Sequence, residues 1–502
     1  MERSLEDIVK GWAPNEEAYV MWMRELKGAP IFITTMKGLE QRAQSSRWQS
    51  TLDQLSDGLV ANLEEWYREK YMGANMEVEE SPFKALQDSI AAPSSFAKHR
   101  DKGCWVEFLQ AHPGKIICHR GASDERFVPV TLLDPFFCQF VEDAHSIPVS
   151  SDDCRFVQKL TDSMSQAFDS EDNRRDAFVE LFAAYTNCKL VGVKLAKSET
   201  DGSLVFPNGV LYCNLEVKLE KGSGGGDPYM QGIAYYIKSL PADSLLHPCF
   251  LLELCGTAFS VNGIVNTDSQ IICEPLCPTF QLLRDQDFFV STNLAKLFAS
   301  LRKNLLNLQS TLKFPLASHF PFFSSFSLTD LTQIDIEYVH RMQSRLVFSA
   351  KISGKESELI VKFASRYNRD VHIHCHSLGF APALLYTGRV GMYTVVVMEK
   401  LPLRRISRAD ITRNPAIADQ IAYIASQFKE KGYVHGDMRE CNVLYDPTAN
   451  KVVLIDFDWA GLDGVDVYPP FMNPDIKWPE GASTGKPLRH EHDLFWLKQL
   501  VG

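Results

Sequence analysis

The spacing of hydrophobic and polar positions divides the chain into three parts. Up to about residue 95 the apolar side chains recur every three or four residues, as they do over residues 52–66. This period places the apolar side chains on one face of a helix. We therefore predict a helical N-terminal region over residues 1–95, without an assigned function, which ends in a linker at residues 92–95.

Between residues 97 and 315 the pattern switches between strand and helix periods, which predicts an α/β domain. Short strands and turns are expected first, and a helix-rich stretch follows them. The boundaries that we predict are about 97–150 for the short strands, 153–187 for the helices, 189–195, 210–219 and 249–273 for further strands, and 291–309 for a last helix.

From residue 330 onward the predicted order is hairpin, helix, hairpin, helix and loop. A segment rich in Phe and Ser, residues 315–327, is expected to connect this part to the preceding domain. We predict a compact two-lobed domain over 330–502 with a truncated C-terminal lobe, because little sequence follows residue 490. The fold class is therefore α+β with several domains.

Composition is that of a globular protein of more than one domain. The chain has 502 residues, of which 45% are hydrophobic and 23% are charged. That length needs two or three separate cores. No run of 18 apolar residues occurs, so we expect no membrane span. The first residues are charged and lack a basic segment followed by an apolar one, so we expect no classical signal peptide.

Charge and cysteine usage narrow the partners and the compartment. The net charge of −11 gives no overall attraction to nucleic acid, so any contact with DNA would need a local basic groove. The twelve cysteines show no CxxC spacing. This usage fits a reducing compartment better than a disulfide-based scaffold.

The most specific chemistry lies near the C-terminus. Residues 433–445 run Tyr-Val-His-Gly-Asp-Met-Arg-Glu-Cys-Asn-Val-Leu-Tyr, and an apolar strand then leads to Asp456. This order is typical of the catalytic loop and metal-binding turn of protein-kinase-type phosphotransferases. Asp437 would accept the proton of the attacking hydroxyl, while Asn442 and Asp456 would hold the Mg²⁺ ions on ATP. We place Arg439 in the same catalytic set; a hairpin with exposed acids is the alternative.

A lysine in an apolar strand is the second kinase signal. Lys362 lies within Leu-Ile-Val-Lys-Phe-Ala, and a lysine buried there needs a charged partner. We predict that Lys362 contacts the α- and β-phosphates of ATP and pairs with Asp370 on the next helix. An edge-strand lysine in solvent is the alternative. Glu399 and Leu401 follow another apolar strand and are the expected hinge that binds adenine.

Two positions depart from the usual kinase pattern. The hairpin before Lys362 has no GxGxxG, and residues 345–352 (Arg-Leu-Val-Phe-Ser-Ala-Lys-Ile) stand there instead. A loop without glycine approaches phosphates less closely. Asp458 occupies the position of the glycine in the usual Asp-Phe-Gly motif.

A second charged motif lies in the predicted α/β domain. Glu216 and Lys218 are two residues apart on one predicted strand, so their side chains share a face. This is the ExK half of a PD-(D/E)xK nuclease site, in which the acids bind a divalent ion and the lysine orients water. Asp201 is the expected second acid. A glycine-rich turn and Gln231 follow, as in many restriction endonucleases; alternating charges on a solvated strand are the other interpretation.

The combination of both motifs resembles the fungal Crinkler-type effectors, in which a restriction-endonuclease-like domain precedes a eukaryotic-type kinase domain. The resemblance starts near residue 100. It rests on residues 130–140, Asp201-Gly202, 216–220, 224–228, Gln231, 435–442, 456–461 and 468–470. It implies secretion into host cells and action in the host nucleus, and in that family an Asp at position 458 is an ordinary variation.

Three functions remain open at this point. The first is an ATP- and Mg²⁺-dependent phosphotransferase acting on Ser or Thr of a protein substrate, with small-molecule kinases as a variant. The second is a metal-dependent DNA nuclease that the kinase half regulates. The third is a pseudokinase that binds ATP or a partner without catalysis.

Overall fold

The computed structural model describes residues 83–98, 103–120, 127–206, 208–223, 226–284, 287–311, 314–328, 330–342 and 345–501. The helical region predicted for residues 1–95 lies outside these residues up to position 82.

The helices within the described residues are α1 (Lys84–Ser89), α2 (Pro93–Phe96), α3 (Trp105–Ala111), α4 (Val130–Leu133), α5 (Pro135–Ser146), α6 (Ser151–Met164), α7 (Glu171–Thr186), α8 (Pro228–Ser239), α9 (Phe288–Gln309), α10 (Arg369–Ser377), α11 (Arg408–Arg413), α12 (Ala416–Lys431) and α13 (His490–Val501). In this part of the chain, no helix has both the length and the apolar character that crossing a membrane requires.

The strands of the first half are β1 (Ile116–Ile117), β2 (Lys194–Leu195), β3 (Ser198–Glu199), β4 (Gly202–Val205), β5 (Leu211–Lys218), β6 (Cys249–Cys255), β7 (Ala258–Asn266), β8 (Ile271–Pro275) and β9 (Phe280–Gln281). Those of the second half are β10 (Ser325–Ser327), β11 (Gln333–Arg341), β12 (Val347–Ile352), β13 (Glu358–Ala364), β14 (Leu384–Val390), β15 (Tyr393–Glu399), β16 (Arg404–Arg405), β17 (Tyr433–Val434), β18 (Val443–Asp446), β19 (Lys451–Leu454) and β20 (Gly461–Leu462).

A mixed sheet forms the centre of the first half. Its strands lie in the order β1-β8-β7-β6-β5-β4, and β9 adds to β7. The β5–β6 and β1–β8 pairs are parallel, and the other pairs are antiparallel. Every residue of β5 is buried, since α7, α8 and α9 all pack on this strand. The two charged residues at its end are therefore held inside the domain.

Residues 83–97 belong to the core of this domain, which corrects the expected linker at 92–95. Phe83, Leu86, Ile90 and Phe96 are all buried in one cluster with the apolar side of α8. The amide of Asp227 also donates to the Ala97 carbonyl at 3.0 Å. The sequence Ala-Pro-Ser-Ser suggested a linker, but the proline starts a short helix there.

The short strands expected for residues 97–150 are also wrong, because most of this stretch is helical. Asp134 caps α5 by accepting the amide hydrogens of Phe136 and Phe137, and Pro135 takes the first helical position. This capping overrides the strand preference of the β-branched and aromatic residues around it. The predicted helices at 153–187 and 291–309 are confirmed with small shifts of their ends.

An antiparallel sheet and one helix build the next part. Its strands lie in the order β10-β11-β12-β13-β15-β14. Lys362 in β13 pairs in register with Val347 of β12 and Val396 of β15, so it lies in the middle of the sheet. Helix α10 follows β13 and packs beside β14. The hairpin, helix, hairpin order predicted from residue 330 onward is confirmed.

The remaining elements pack around a second apolar cluster below this sheet. Helix α12 contributes Ile417, Ile421, Ile424 and Phe428, and α13 contributes Leu497. Two small sheets, β16-β18-β19 and β17-β20, also belong to this part. The loop from β17 to β18 and the turn after β19 begin at strands of these sheets. The spacing of the apolar residues along α12 accounts for this packing, because positions three and four apart share one helix face.

An aromatic stack connects α10 to the loop between β17 and β18 and to the turn after β19. The His372 ring lies parallel to the Phe457 ring, with the two centroids 4.6 Å apart. The centroid of the His435 ring lies 5.2 Å from that of the same Phe457 ring. His372 is fully buried; its Nε2 donates to the Pro382 carbonyl at 2.9 Å and its Nδ1 accepts from the Tyr367 hydroxyl at 2.6 Å. Both ring nitrogens are satisfied by a neutral imidazole, and burial lowers the pKa of His372 to about 4.

This pKa makes stability depend on pH in a defined window. Below pH 6.5 the unfolded chain protonates His372 and the folded chain does not, so stability falls as the pH drops from about 6.5 to about 4. The full loss corresponds to about 3 kcal/mol. We expect His372→Gln to be less stable at neutral pH but to lose less stability than the wild type over that window, measured by urea unfolding at several pH values. Equal pH slopes for both proteins would contradict the assignment.

Candidate functional site

The loop between β17 and β18 carries Asp437 and is fixed by a residue that the sequence analysis missed. Asp493 on α13 accepts the amide hydrogens of His435 and Gly436 at 2.6 and 3.0 Å. Gly436 has φ +80°, and a Cβ there would lie 3.0 Å from the Trp459 carbonyl oxygen. Burial raises the pKa of Asp493 to about 7, against the two amide bonds. The signal in the sequence that could have indicated Asp493 is an acid on the apolar face of the last helix.

Asp437 lies at the end of this loop with Arg439 and Asn442 around it, as predicted. Arg439 binds the Asp437 carboxylate through Nε and, at 2.8 Å, through Nη2. Asn442 donates from Nδ2 to both the carbonyl and the Oδ2 of Asp437 at 2.9 Å. The amide nitrogen of Asn442 is used in these bonds, so its amide oxygen is the atom that remains for a cation.

Aromatic side chains from the segment after Asp456 lie next to Arg439. The Arg439 guanidinium lies over the Trp478 ring at 5.2 Å from its centroid. The Trp459 ring is 5.3 Å from Trp478 and 6.0 Å from Tyr468. A guanidinium that contacts both a carboxylate and an aromatic face is held in one orientation. Trp478 therefore helps to hold the Arg439 guanidinium against the Asp437 carboxylate.

Lys362 reaches the turn after β19, where two carboxylates meet it. Its Nζ lies 2.5 Å from Asp456 Oδ1 and 2.6 Å from Asp458 Oδ1. The Lys362 side chain is only 12% exposed. Asp456 has φ +69°, a strained value for a residue with a side chain, and such strain is concentrated at functional positions. Lys362, Asp456 and Asp458 together form what we call the ionic triad.

The pKa values within the ionic triad diverge. Burial lowers the pKa of Lys362, but Asp456 and Asp458 outweigh it and the net shift is upward. Burial likewise opposes ionisation of Asp456, yet Lys362 holds its pKa below the usual value. Asp458 goes the other way: burial and the Asp456 charge raise its pKa to about 7 in spite of Lys362. One lysine therefore compensates one carboxylate fully and the second only in part.

The predicted Lys362–Asp370 pair is not formed. The Asp370 side chain is 79% exposed and lies 3.9 Å from the Arg369 guanidinium. It stands in the first turn of α10, where its charge favours the helix N-terminus. Asp458, noted in the sequence as a departure from the glycine of the motif, takes the place expected of Asp370.

The expected hinge follows β15 as predicted, but Glu399 has a structural contact. Its carboxylate accepts the Ala383 amide hydrogen at 2.6 Å, and its own amide donates to the Ala383 carbonyl at 3.0 Å. Leu401 is half-buried in the extended segment that follows. Any contact of this segment with adenine would come from its backbone groups, while the Glu399 side chain holds it against the start of β14.

The donor set around Asp456 suits a hard cation. The atoms available are the carboxylate oxygens of Asp456 and Asp458 and the amide oxygen of Asn442, and Mg²⁺ prefers oxygen ligands. The carboxylates of Asp456 and Asp458 both face Lys362, and Arg345 lies 3.6 Å from the second oxygen of Asp456. These residues fit the Mg²⁺ that a phosphotransferase would bind together with ATP.

The second candidate site lies at the end of β5. Glu216 is 1% exposed, accepts from Asn214 Nδ2 at 2.9 Å through Oε1, and leaves Oε2 without a hydrogen-bond partner. Burial raises its pKa well above the usual value, and the Asp201 charge adds to this effect. Asp201 accepts the Val217 amide hydrogen at 2.7 Å. The structure thus brings the two predicted acids to one place.

Lys218 joins this cluster with a partner that the sequence did not suggest. Its Nζ lies 3.4 Å from Glu171 Oε1, in the first turn of α7, and donates to the Val217 carbonyl at 2.8 Å. Gln231 on α8 is buried close to the same strand. Within the described part of the chain, no group of three or more His, Cys, Asp or Glu side chains is placed to hold a metal ion.

Comparison with known proteins supports the kinase-like part. Residues 389–460 match the RIO domain, an atypical protein kinase family. No curated protein gives a significant match. The matched residues include β15, the expected hinge, the Asp437 loop and Asp456.

Two solved kinases are also similar to part of the chain. The Cydia pomonella granulovirus kinase PK-1 is 18% identical, with 26% of this chain and 53% of that chain covered and a TM-score of 0.21. Vaccinia related kinase 3 is 14% identical, with 36% and 67% covered and a TM-score of 0.26. The chain thus spans about half the length of the granulovirus kinase. The RIO match alone, over residues 389–460, supports a protein-kinase-like α+β domain in the C-terminal part of the chain.

Proposed function

We propose that the domain over residues 330–501 is an ATP- and Mg²⁺-dependent phosphotransferase that acts on Ser or Thr of a protein. The observation that carries the proposal is the grouping of two contacts, Lys362 with Asp456 and Asn442 with Asp437, which the Ile455 amide joins by donating to the Asn442 carbonyl at 3.0 Å. These residues have the roles that phosphoryl transfer needs. Mg·ATP supplies the phosphoryl group and neutralises charge as it develops. The side chains of this protein would bind the metal and the phosphates and would accept the proton of the substrate.

Each side chain has a role that follows from its contacts. Asp456 and Asn442 would hold Mg²⁺ with their free oxygens, and Lys362 would contact the α- and β-phosphates from the ionic triad. Asp437 would accept the proton of the substrate hydroxyl. Arg439 and a substrate hydroxyl would share the Asp437 carboxylate, since each carboxylate oxygen can accept more than one hydrogen bond. The Trp478 ring keeps the Arg439 guanidinium in its orientation.

Replacement of the two acids tests this proposal. We expect Asp456→Asn to abolish phosphotransfer because the Mg²⁺ ligand is lost, and Asp437→Asn to slow it by about 10²- to 10⁴-fold, the usual scale for a general base. The measurement is label transfer from γ-labelled ATP to the chain itself and to Ser/Thr peptides. Asp370→Asn, which removes an exposed acid of the same domain, should retain activity. ATP binding without any transfer in the wild type would indicate a pseudokinase instead.

Stability measurements test the ionic triad separately from activity. Lys362→Met and Asp458→Asn should show a coupling free energy on the order of 1–3 kcal/mol in a double-mutant cycle, since the two charges are in contact and largely buried. The matched cycle of Lys362→Met with Asp370→Asn should give about zero. Equal couplings in urea unfolding would mean that Asp458 is not the partner of Lys362.

A metal-dependent nuclease in the first half is the second candidate function. It is favoured by the buried, unpartnered Oε2 of Glu216 next to Asp201 and by Lys218 on the same strand. Two buried acids at one place are costly without a cation between them. Lys218 would then lie beside the phosphodiester, and Asp201 and Glu216 would share the divalent ion. DNA is the proposed partner of this site.

Metal binding and cleavage by the full chain test the nuclease hypothesis. Mg²⁺ or Mn²⁺ should raise the melting temperature of the wild type, and Glu216→Gln should weaken this shift because a ligand is lost. Plasmid cleavage should disappear in Glu216→Gln and in Lys218→Ala. Glu180→Gln, an exposed acid on α7, is the matched control. Cleavage that survives both substitutions would rule out this site as the source.

The biological setting that we propose follows from the resemblance to Crinkler-type effectors. A secreted chain that acts in the nucleus of a host cell would combine the two activities on protein and DNA targets. The support is the order of the two sites along the sequence, with the Glu216 site before the Asp437 site.

A further inference from the structure

The turn between β11 and β12 occupies the position of a glycine-rich loop but is built differently. The Met342 amide donates to the Val347 carbonyl at 2.7 Å, which continues the pairing of β11 with β12. The Arg345 carbonyl accepts from Arg341 Nε at 2.7 Å, and Arg341 Nη2 donates to the Phe127 carbonyl at 3.2 Å. The Arg345 backbone is thus held by a side chain that is itself anchored to Phe127.

The Arg345 side chain extends from this turn to the metal-binding turn. Its Nη1 lies 3.6 Å from Asp456 Oδ2, a separation longer than a hydrogen bond. The other oxygen of Asp456 contacts Lys362 at 2.5 Å. The Arg345 side chain is 57% exposed, so its guanidinium faces solvent next to the very carboxylate that would hold Mg²⁺.

The other two cations of the cleft are already bound closely. Lys362 lies between Asp456 and Asp458, and Arg439 binds both oxygens of Asp437. Arg345 makes a looser contact than either of them. A guanidinium offers several N–H donors in a planar fork that matches a phosphate group. Arg345 is therefore the cation of this cleft with the most donor capacity left for an anionic ligand.

We propose that Arg345 binds the terminal phosphates of the nucleotide and replaces the backbone amides of a glycine-rich loop. This inference rests on the proposed phosphotransferase function. A turn without glycine brings its backbone less close to phosphates, whereas the Arg345 side chain already reaches the carboxylate of Asp456. If Asp456 held Mg²⁺, a phosphate of the bound nucleotide would be an anion that the guanidinium could bind in its place.

Nucleotide binding without turnover tests the inference. Calorimetric titration with Mg·ATP should show affinity about tenfold weaker for Arg345→Ala than for the wild type, because a charge-assisted contact is lost. AMP, which lacks the terminal phosphates, should bind both proteins equally. Arg345→Lys should recover part of the affinity, since it keeps the charge but loses the planar fork. Lys355→Ala removes an equal charge from the exposed turn between β12 and β13 and should leave both affinities unchanged.

The outcomes separate the inference from the function on which it rests. Tight Mg·ATP binding by the wild type and by Arg345→Ala alike would overturn the role of Arg345 alone. An equal loss of Mg·ATP and AMP affinity in Arg345→Ala would overturn it as well, since the side chain would then act by shaping the turn. A wild type that binds no Mg·ATP would overturn the phosphotransferase function and the inference with it.

Discussion

A lysine in the middle of a buried sheet must be paired, and the kinase-like domain is organised around that requirement. Lys362 lies between β12 and β15 in register, and its side chain is only 12% exposed. The acids that pair with it come from the turn after β19, in the other part of the domain. Breaking a buried pair is costly, so this contact ties the sheet to the catalytic turn.

The loops of the site depend on two further contacts that carry little charge. The stack of His372, Phe457 and His435 connects α10 to the turn after β19 and to the loop that carries Asp437. Asp493 holds the same loop from α13 through two backbone amides. The loop also contributes Met438 to the apolar cluster around α12. These contacts together fix the position of Asp437.

Local sequence was enough to predict the parts of the site whose residues follow one another closely. Asp437, Asn442 and Asp456 come together because one loop and one short hairpin separate them. The partner of Lys362 could not be predicted in this way. Asp370 is close to Lys362 in the sequence and Asp458 is far from it, and the fold brings the distant acid to the sheet. Asp493 was missed for the same reason. In the first half, the capping of α5 by Asp134 outweighed strand propensity, and a proline-containing stretch at 92–95 became part of the core.

The two candidate sites share one electrostatic feature although they lie in different sheets, because burial opposes the ionised form of carboxyl groups in both. Asp456 and Asp458 meet Lys362 in the kinase-like site, and the pKa of Asp458 is raised to about 7. In the other site burial raises the pKa of Asp201, and it raises that of Glu216 well above its usual value. A raised pKa in a carboxyl group means that its charged form costs free energy in the folded protein. A divalent cation between the acids would relieve that cost. The difference between them is access: the Asp456 side chain is partly exposed beside Arg345, whereas Glu216 is almost fully buried. A cation at Asp456 would therefore have access from solvent, whereas a cation at Glu216 would have to reach a carboxylate that is almost fully buried.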